Sequence, residues 1–432
     1  MSTAILELND ASMQLGIDGT RVHTTVGFAV IDQSKLLIGN LAQQNAKLLP
    51  RWTNNRFWNQ LSTDNLSNAT SEVRHHADLA FAHLEDVASH LSADALVLAI
   101  PAFYDKAQLG LLLGMCKEAG LPVTSLVDMS LLAIANQVSH PTAMYLDVGL
   151  HRITLTALRT DGAIRQTGQQ TIAEMGLATF WDRWASLVAE QFIQSSRFDP
   201  MHEAASEQKL FNQIPAFMAN SAGSSTMAFE LDLGNIKRST TLSKDQLLGA
   251  TSSVYPSIVQ NIRQLMSAGE PASLFVSNRF SCFPDLAASL ALIPQLDICY
   301  LDEDHILQAG HELWDRLGTA GDNVPHITTL ALTPGRPAPS TQAARATHLL
   351  VGQNAYPMRK PRQIISAQNG ELQEGSESAL AVISLESNQA QLRVLASGIK
   401  LNGALLDTGH HLLSPGDVID IKGDSAQVIA ER

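Results

Sequence analysis

Between two apolar runs, Asp147-Val148-Gly149-Leu150-His151-Arg152 gathers a carboxylate, a glycine, an imidazole and a guanidinium. Arg152 is a group that can hold a phosphate through a charge-assisted bond. Asp10 and Asp147 offer two carboxylates for acid/base work, although no neighbouring residue completes a mechanism. Other reactive types carry less. Cys116, Cys282 and Cys299 lack metal or redox spacing and read as buried free thiols of a reducing compartment. His75-His76 and His410-His411 are adjacent pairs, and helix neighbours point about 100° apart, so a shared metal is not expected of them. Asp302-Glu303-Asp304 reads as a charge cluster at a helix N-terminus, and Asp182-Arg183 as a salt-bridge pair.

Strand and helix signals surround these residues. Ala4 to Leu8 and Thr25 to Asp32 read as strands, and Glu72 to Leu91 as an amphipathic helix. Ala95 to Ile100 is an uninterrupted apolar run stopped by Pro101, as in a buried strand. Lys106 to Ala119 reads as a helix closed by Gly120, followed by a strand at Val123 to Val127 and a helix at Ser130 to Val138. Ala143 to Val148 and Arg152 to Leu158 are strands around a tight turn. This order predicts an α/β domain with a mixed sheet. Further on, helices are expected at Phe180 to Phe192, Leu247 to Met266 (broken near Pro256), Asp285 to Leu292 and His305 to Leu317, with strands at Ala272 to Val276 and Ile298 to Leu301. Thr333 to Thr347 is rich in proline and reads as a linker. Beyond it strand-like runs predominate: His348 to Val351, Ala379 to Leu385, Gln391 to Leu395 and Val418 to Ile421.

Several stretches, in order, resemble DnaK-type heat-shock chaperones over most of Ala4 to Leu330. Leu37-Ile38-Gly39 with Gln43-Gln44-Asn45-Ala46 is similar to the family's VGxxAxxQA, and Ile100-Pro101-Ala102-Phe103-Tyr104 with Ala107-Gln108 to its VPAYFxxxQ. Glu118-Ala119-Gly120-Leu121-Pro122-Val123 resembles xAGLxV, and Tyr145-Leu146-Asp147-Val148-Gly149 the second phosphate motif. The resemblance implies the bilobed actin-like ATPase fold over 1–332, then a linker over 333–347 and a small all-β domain over 348–432.

In that family two glycine-rich hairpins turn backbone N–H groups towards ATP, which demands close approach and often positive φ. The first, D-L-G-T-T, falls on Glu7-Leu8-Asn9-Asp10-Ala11, where Asp10 puts a negative charge at the phosphate position. Such a clash at about 4 Å costs on the order of 1–4 kcal/mol. The second, D-L-G-G-G-T-F-D, falls on Asp147 to Thr154 and keeps Asp147 and Gly149 but has Arg152 in place of the threonine. The family's catalytic lysine falls on Gln60, its interlobe glutamate on Asp128, and its adenosine-side G-G-S-x-R near Val276-Ser277-Asn278-Arg279. Pro101 matches the switch proline, and Leu109 replaces the relaying arginine. The nucleotide positions carried over are therefore Glu7, Asn9, Asp10, Gln60, Asp128, Asp147, Gly149, Arg152, Ser277 and Asn278. Trp52 and Trp58 lie beside the implied cleft and read as packing residues. With every nucleotide element altered, the expectation is a pseudo-ATPase that takes no cofactor. ATP with Mg²⁺ remains the alternative, Arg152 replacing the lost contacts.

The end of the chain carries a second resemblance. Ser397 to Gly403, with its Asn402-Gly403 turn, and Leu412 to Ile421, with Pro415-Gly416-Asp417, are similar to the end of a forkhead-associated β-sandwich. That family's phosphothreonine contacts fall on Gln353, Ser378 and Leu380, none of them cationic. In competition, Thr328 to Pro334 resembles the linker that follows a DnaK ATPase domain, which implies a shortened substrate-binding sandwich.

Composition limits the function. The net charge is −13 over 432 residues, with 45% hydrophobic and 16% charged. A core can form, but a general nucleic-acid or anionic-membrane binder is disfavoured. No secretory signal or membrane span is read at Met1 to Asp10 or elsewhere, so a cytoplasmic protein is expected. These readings combine into a chaperone-like scaffold or adaptor for protein partners in a bacterial assembly. The alternatives are a diverged ATP-binding chaperone and a phosphopeptide adaptor.

Overall fold

The computed structural model describes residues 2–32, 35–66, 69–135, 137, 140–219, 226–234, 237–267, 269–318, 323–331, 348–352, 354–358, 362–368, 371–375, 379–386, 389–413, 416–421 and 424–429. The chain divides into two compact units, Met1–Ala338 and Pro339–Arg432. The expected linker over 333–347, and with it Gln353 and Ser378, lies outside the described residues.

The first unit is α/β and built on two mixed sheets. One holds β1 (Thr3–Glu7), β2 (Met13–Ile17), β3 (Thr20–Thr25), β4 (Ala95–Ile100) and β5 (Val123–Asp128). The other holds β6 (Thr142–Val148), β7 (Arg152–Thr160), β8 (Ala163–Ala173), β9 (Ala272–Val276) and β10 (Leu296–Tyr300). Each begins with an antiparallel meander and adds two parallel strands beside its first strand, giving the orders β3-β2-β1-β4-β5 and β8-β7-β6-β9-β10. One short stretch extends both sheets: His326–Ile327 lies parallel on β5, and Thr329–Ala331 antiparallel on β8.

The period-2 alternation of side chains explains the layering. Ala4, Leu6, Leu96, Leu98 and Ile100 face an outer core with helices His76–Ser89 and Lys106–Glu118. Their neighbours Ile5, Val97 and Ala99 turn the other way and meet Ala143, Tyr145 and Phe275 of the second sheet around helices Met129–Ile134 and His305–Glu312. Met144, Leu146, Val148 and Leu274 face a third core with helices Leu177–Ser196 and Tyr255–Leu265. Strands buried on both faces read as unbroken apolar runs.

Several expected elements change. Thr25 to Asp32 is not one strand: β3 ends at Thr25 and a separate strand begins at Ala29, because Gly27 N–H turns to the Asp10 carbonyl at 2.7 Å. The helix expected from Glu72 starts at His76, where Asp78 closes a capping box on His75. His305 to Leu317 breaks into His305–Glu312 and Trp314–Leu317. The helix expected over Ser130 to Val138 runs Met129–Ile134, and Val138 lies outside the described residues. Asp182 and Arg183 do not pair with each other: Asp182 meets Lys47 at 2.9 Å, and Arg183 meets Ser253 Oγ at 2.9 Å. Neighbours on a helix point apart, so each finds its own partner. Among the described residues no helix is long and apolar enough to cross a membrane.

The second unit is all-antiparallel β. Its two sheets share one core that includes Leu349, Val351, Ile364, Ile383, Leu392, Ile419 and Val428. Asn402 and Gly403 both have positive φ, as a two-residue hairpin turn requires. Asn402 also holds the next strand: its Oδ1 accepts from Val418 N at 2.9 Å, and its Nδ2 donates to Asp417 Oδ1 at 2.8 Å.

Candidate functional site

The β1–β2 turn, the β6–β7 turn and the end of β9 converge, one from the first sheet and two from the second. β1 delivers Glu7, then Asn9 and Asp10. β6 delivers Asp147 and then Gly149, and β7 begins at Arg152. Ser277 caps a short 3-10 turn, Asn278–Phe280, that projects Arg279 from the end of β9.

Arg279 is the hub. Its Nη2 donates to Glu7 Oε1 at 2.7 Å and to the Ser12 carbonyl at 2.9 Å. Its Nη1 lies 3.3 Å from both Asp147 Oδ1 and Ser277 Oγ. Glu7 is 1% exposed, so this carboxylate depends on that ion pair. Burial pushes the Glu7 carboxyl above its ordinary range, and Arg279 opposes the shift. Burial also opposes the charge on Arg279, but Glu7 and Asp147 outweigh it and hold the guanidinium protonated. Asn9 joins the cluster through Nδ2, which donates to Asp147 Oδ2 at 2.8 Å and to the Val148 carbonyl at 3.2 Å.

Asp10 closes the turns on each other. Its Oδ1 accepts the Leu150 N–H at 2.8 Å. Burial pushes its carboxyl up to about 6, while the Leu150 N–H and Arg152 pull the other way. Arg152 does not point at an open phosphate position. Its guanidinium stacks on Phe103, 4.0 Å from the ring centroid, and binds Asn59 through Oδ1 and the carbonyl at 3.0 Å.

Four N–H groups of the two turns have internal acceptors. Leu150 N is taken by Asp10, Gly149 N by the Arg152 carbonyl at 2.9 Å, Ala11 N by Asn9 Oδ1 at 2.9 Å and Ser12 N by the Asn9 carbonyl at 3.1 Å. At the start of Leu177–Ser196, the N–H groups of Leu177 and Ala178 bond the Gly149 and Leu150 carbonyls at 2.9 and 3.0 Å. These N–H groups are therefore not open to an anion.

Two hollows remain. One, bounded by Asp10, Trp58, Pro101, Phe103 and Arg152, offers about 20 Å³ to the centres of water molecules; the other, beside Glu7, Gln14, Asn278 and Asp302, about 70 Å³. A water needs roughly 10–15 Å³ on that measure, so the first admits about one.

Eight of the ten residues expected at the site meet here: Glu7, Asn9, Asp10, Asp147, Gly149, Arg152, Ser277 and Asn278. Gln60 does not; it is exposed, and Asn59 beside it makes the contact to Arg152. Asp128 does not either. It ends β5 and binds His326 Nε2 on the neighbouring strand at 2.7 Å; burial raises its carboxyl and His326 lowers it. Arg279 was named in the sequence only as the end of the stretch Val276 to Arg279 and was not counted at the site. Its signal was present: a cation directly after the fully buried run Ala272 to Val276 must find an acid. No family model matches the chain, and no curated protein matches it.

Proposed function

We propose that the first unit is an actin/DnaK-like bilobed fold whose nucleotide cleft is shut by its own side chains. The protein then serves as a non-catalytic, chaperone-like scaffold for protein partners. The observation that carries this reading is the internal ligation of the cleft. Asp10 sits on the Leu150 N–H where an anionic ligand would accept, and Arg279 bridges Glu7 and Asp147 where a cation would sit. The repeated strand order of the two sheets, with equivalent first turns facing each other, supports the bilobed reading. Charge favours it too. Glu7, Asp10 and Asp147 already outnumber Arg152 and Arg279, so a polyphosphate would bring further negative charge to cations that are taken. Parting Arg279 from Glu7 would leave a buried charge unpaired, at about 3–5 kcal/mol.

The second unit fits a forkhead-associated-like sandwich in its Asn402-Gly403 turn and in the grip of Asn402 on Val418. Its use as a phosphopeptide reader has no comparable support, since Leu380 packs against the core.

Melting with and without excess Mg-ATP tests the proposal. A ligand at 100 times its Kd would add about 2.7 kcal/mol to a folded state that binds it. The expected result is no shift and no phosphate release. A clear upward shift that disappears in Asp147→Ala overturns the proposal in favour of a diverged ATP-binding chaperone.

A further inference from the structure

A second cluster lies away from the cleft, at the open edge of the first sheet. β3 is the edge strand and carries His23. Asp86 lies in the last turn of helix His76–Ser89, and His90 is its C-cap. Four residues apart, Asp86 and His90 share a face of that helix end. One ligand atom from each of His23, Asp86 and His90 lies within 4.8 Å of the other two.

The spacing of His23 and Asp86 suits a metal. His23 Nε2 is buried and makes no hydrogen bond, although Asp86 Oδ2 is 3.4 Å away. Adjacent ligands of a tetrahedral zinc, each about 2.0–2.2 Å from the ion, are themselves about 3.4 Å apart. His90 Nδ1 lies 2.9 Å from the Asp86 carbonyl oxygen, which can only accept. Ser89 Oγ lies 3.1 Å from the same nitrogen.

We propose that His23, Asp86 and His90 form a zinc site that ties the edge strand β3 to the end of helix His76–Ser89. Two imidazoles and a carboxylate are a zinc donor set, with water in the fourth position. The His23 and His90 rings now stack, centroids 3.8 Å apart and 14° from parallel. Ligation requires the exposed His90 ring to turn out of this stack so that the two lone pairs converge on the ion.

The test is calorimetric titration of the full-length protein, stripped with a chelator, with zinc chloride. Cobalt(II) absorption serves as a second reading of tetrahedral nitrogen and oxygen ligation. One site per chain is expected, with a raised melting temperature in zinc. Affinity should fall at least tenfold in His90→Ala and in Asp86→Asn, and stay unchanged in His202→Ala, an exposed histidine elsewhere. Metal-free melting of His90→Ala should match the wild type, which separates lost ligation from a damaged fold, and His23→Gln repeats the test from the strand side. Absence of zinc binding, or equal binding by His90→Ala and Asp86→Asn, means an adventitious ion only and overturns the proposal.

Discussion

Asp10 shows how one side chain sets the state of the cleft. Its carboxyl titrates near 6 in the folded protein against about 4 in an unfolded chain. A raised folded value means that the folded state holds the proton longer. This group's contribution to stability is therefore present below about pH 4 and lost as pH rises through about 6. Asp10→Asn keeps the acceptor for Leu150 N–H and removes the titration. Because Asp10 is half-buried and meets the small hollow, the expected gain at pH 7 is only about 1–2 kcal/mol, with little gain at pH 4. Urea unfolding at the two pH values reads this; equal effects at both would show that the carboxylate is not strained. A more buried group is His83, which lies behind the cleft. Burial drives its pKa down to about 3, and it stays neutral between Trp58 Nε1, at 3.0 Å, and Thr25 Oγ1, at 2.9 Å. Trp58 is thus a packing residue with its N–H satisfied, as expected, and it also walls the hollow.

At the scale of elements, legibility followed unbroken apolar runs: β2 is mostly buried, but Gln14 and Gly16 interrupt it. β4 and β9 stand where their apolar runs placed them, since a strand buried on both faces has no polar residue to blur its ends. β2 and β8 were not foreseen: β8 is largely half-exposed, and its glutamines and threonines carry no clean alternation. Helix Ala204–Ala219 was missed as well, with Pro215 inside it. Contacts between elements were equally hidden. Gly176, which opens helix Leu177–Ser196, lies so close to the β6–β7 turn that a Cβ would collide with the Leu150 carbonyl and the His151 nitrogen. Neither is a movable side chain, so Gly176→Ala should cost about 3 kcal/mol or more. Gly110→Ala, in helix Lys106–Glu118 with nothing within 4 Å, should instead gain about 0.5–1 kcal/mol. Thermal unfolding of the pair compares them directly, and similar losses in both would remove the close approach as the cause.

At the scale of the molecule, each unit has its own core. Leu349, Ile383, Leu392 and Ile419 pack with residues of the second unit alone. Residues 348–432 expressed separately should therefore melt cooperatively, at the temperature of one of two transitions in the full chain. A fragment without a cooperative transition would mean that this core needs the rest of the protein. What the sequence determined unaided was the α/β-then-β order and the buried strands, because burial and turn chemistry are written locally. Only the tertiary structure decided which groups the two turns bind. Arg279 is remote in sequence from both Glu7 and Asp147, and Asp10 from Leu150; charges this far apart along the chain pair only where two sheets bring their turns together.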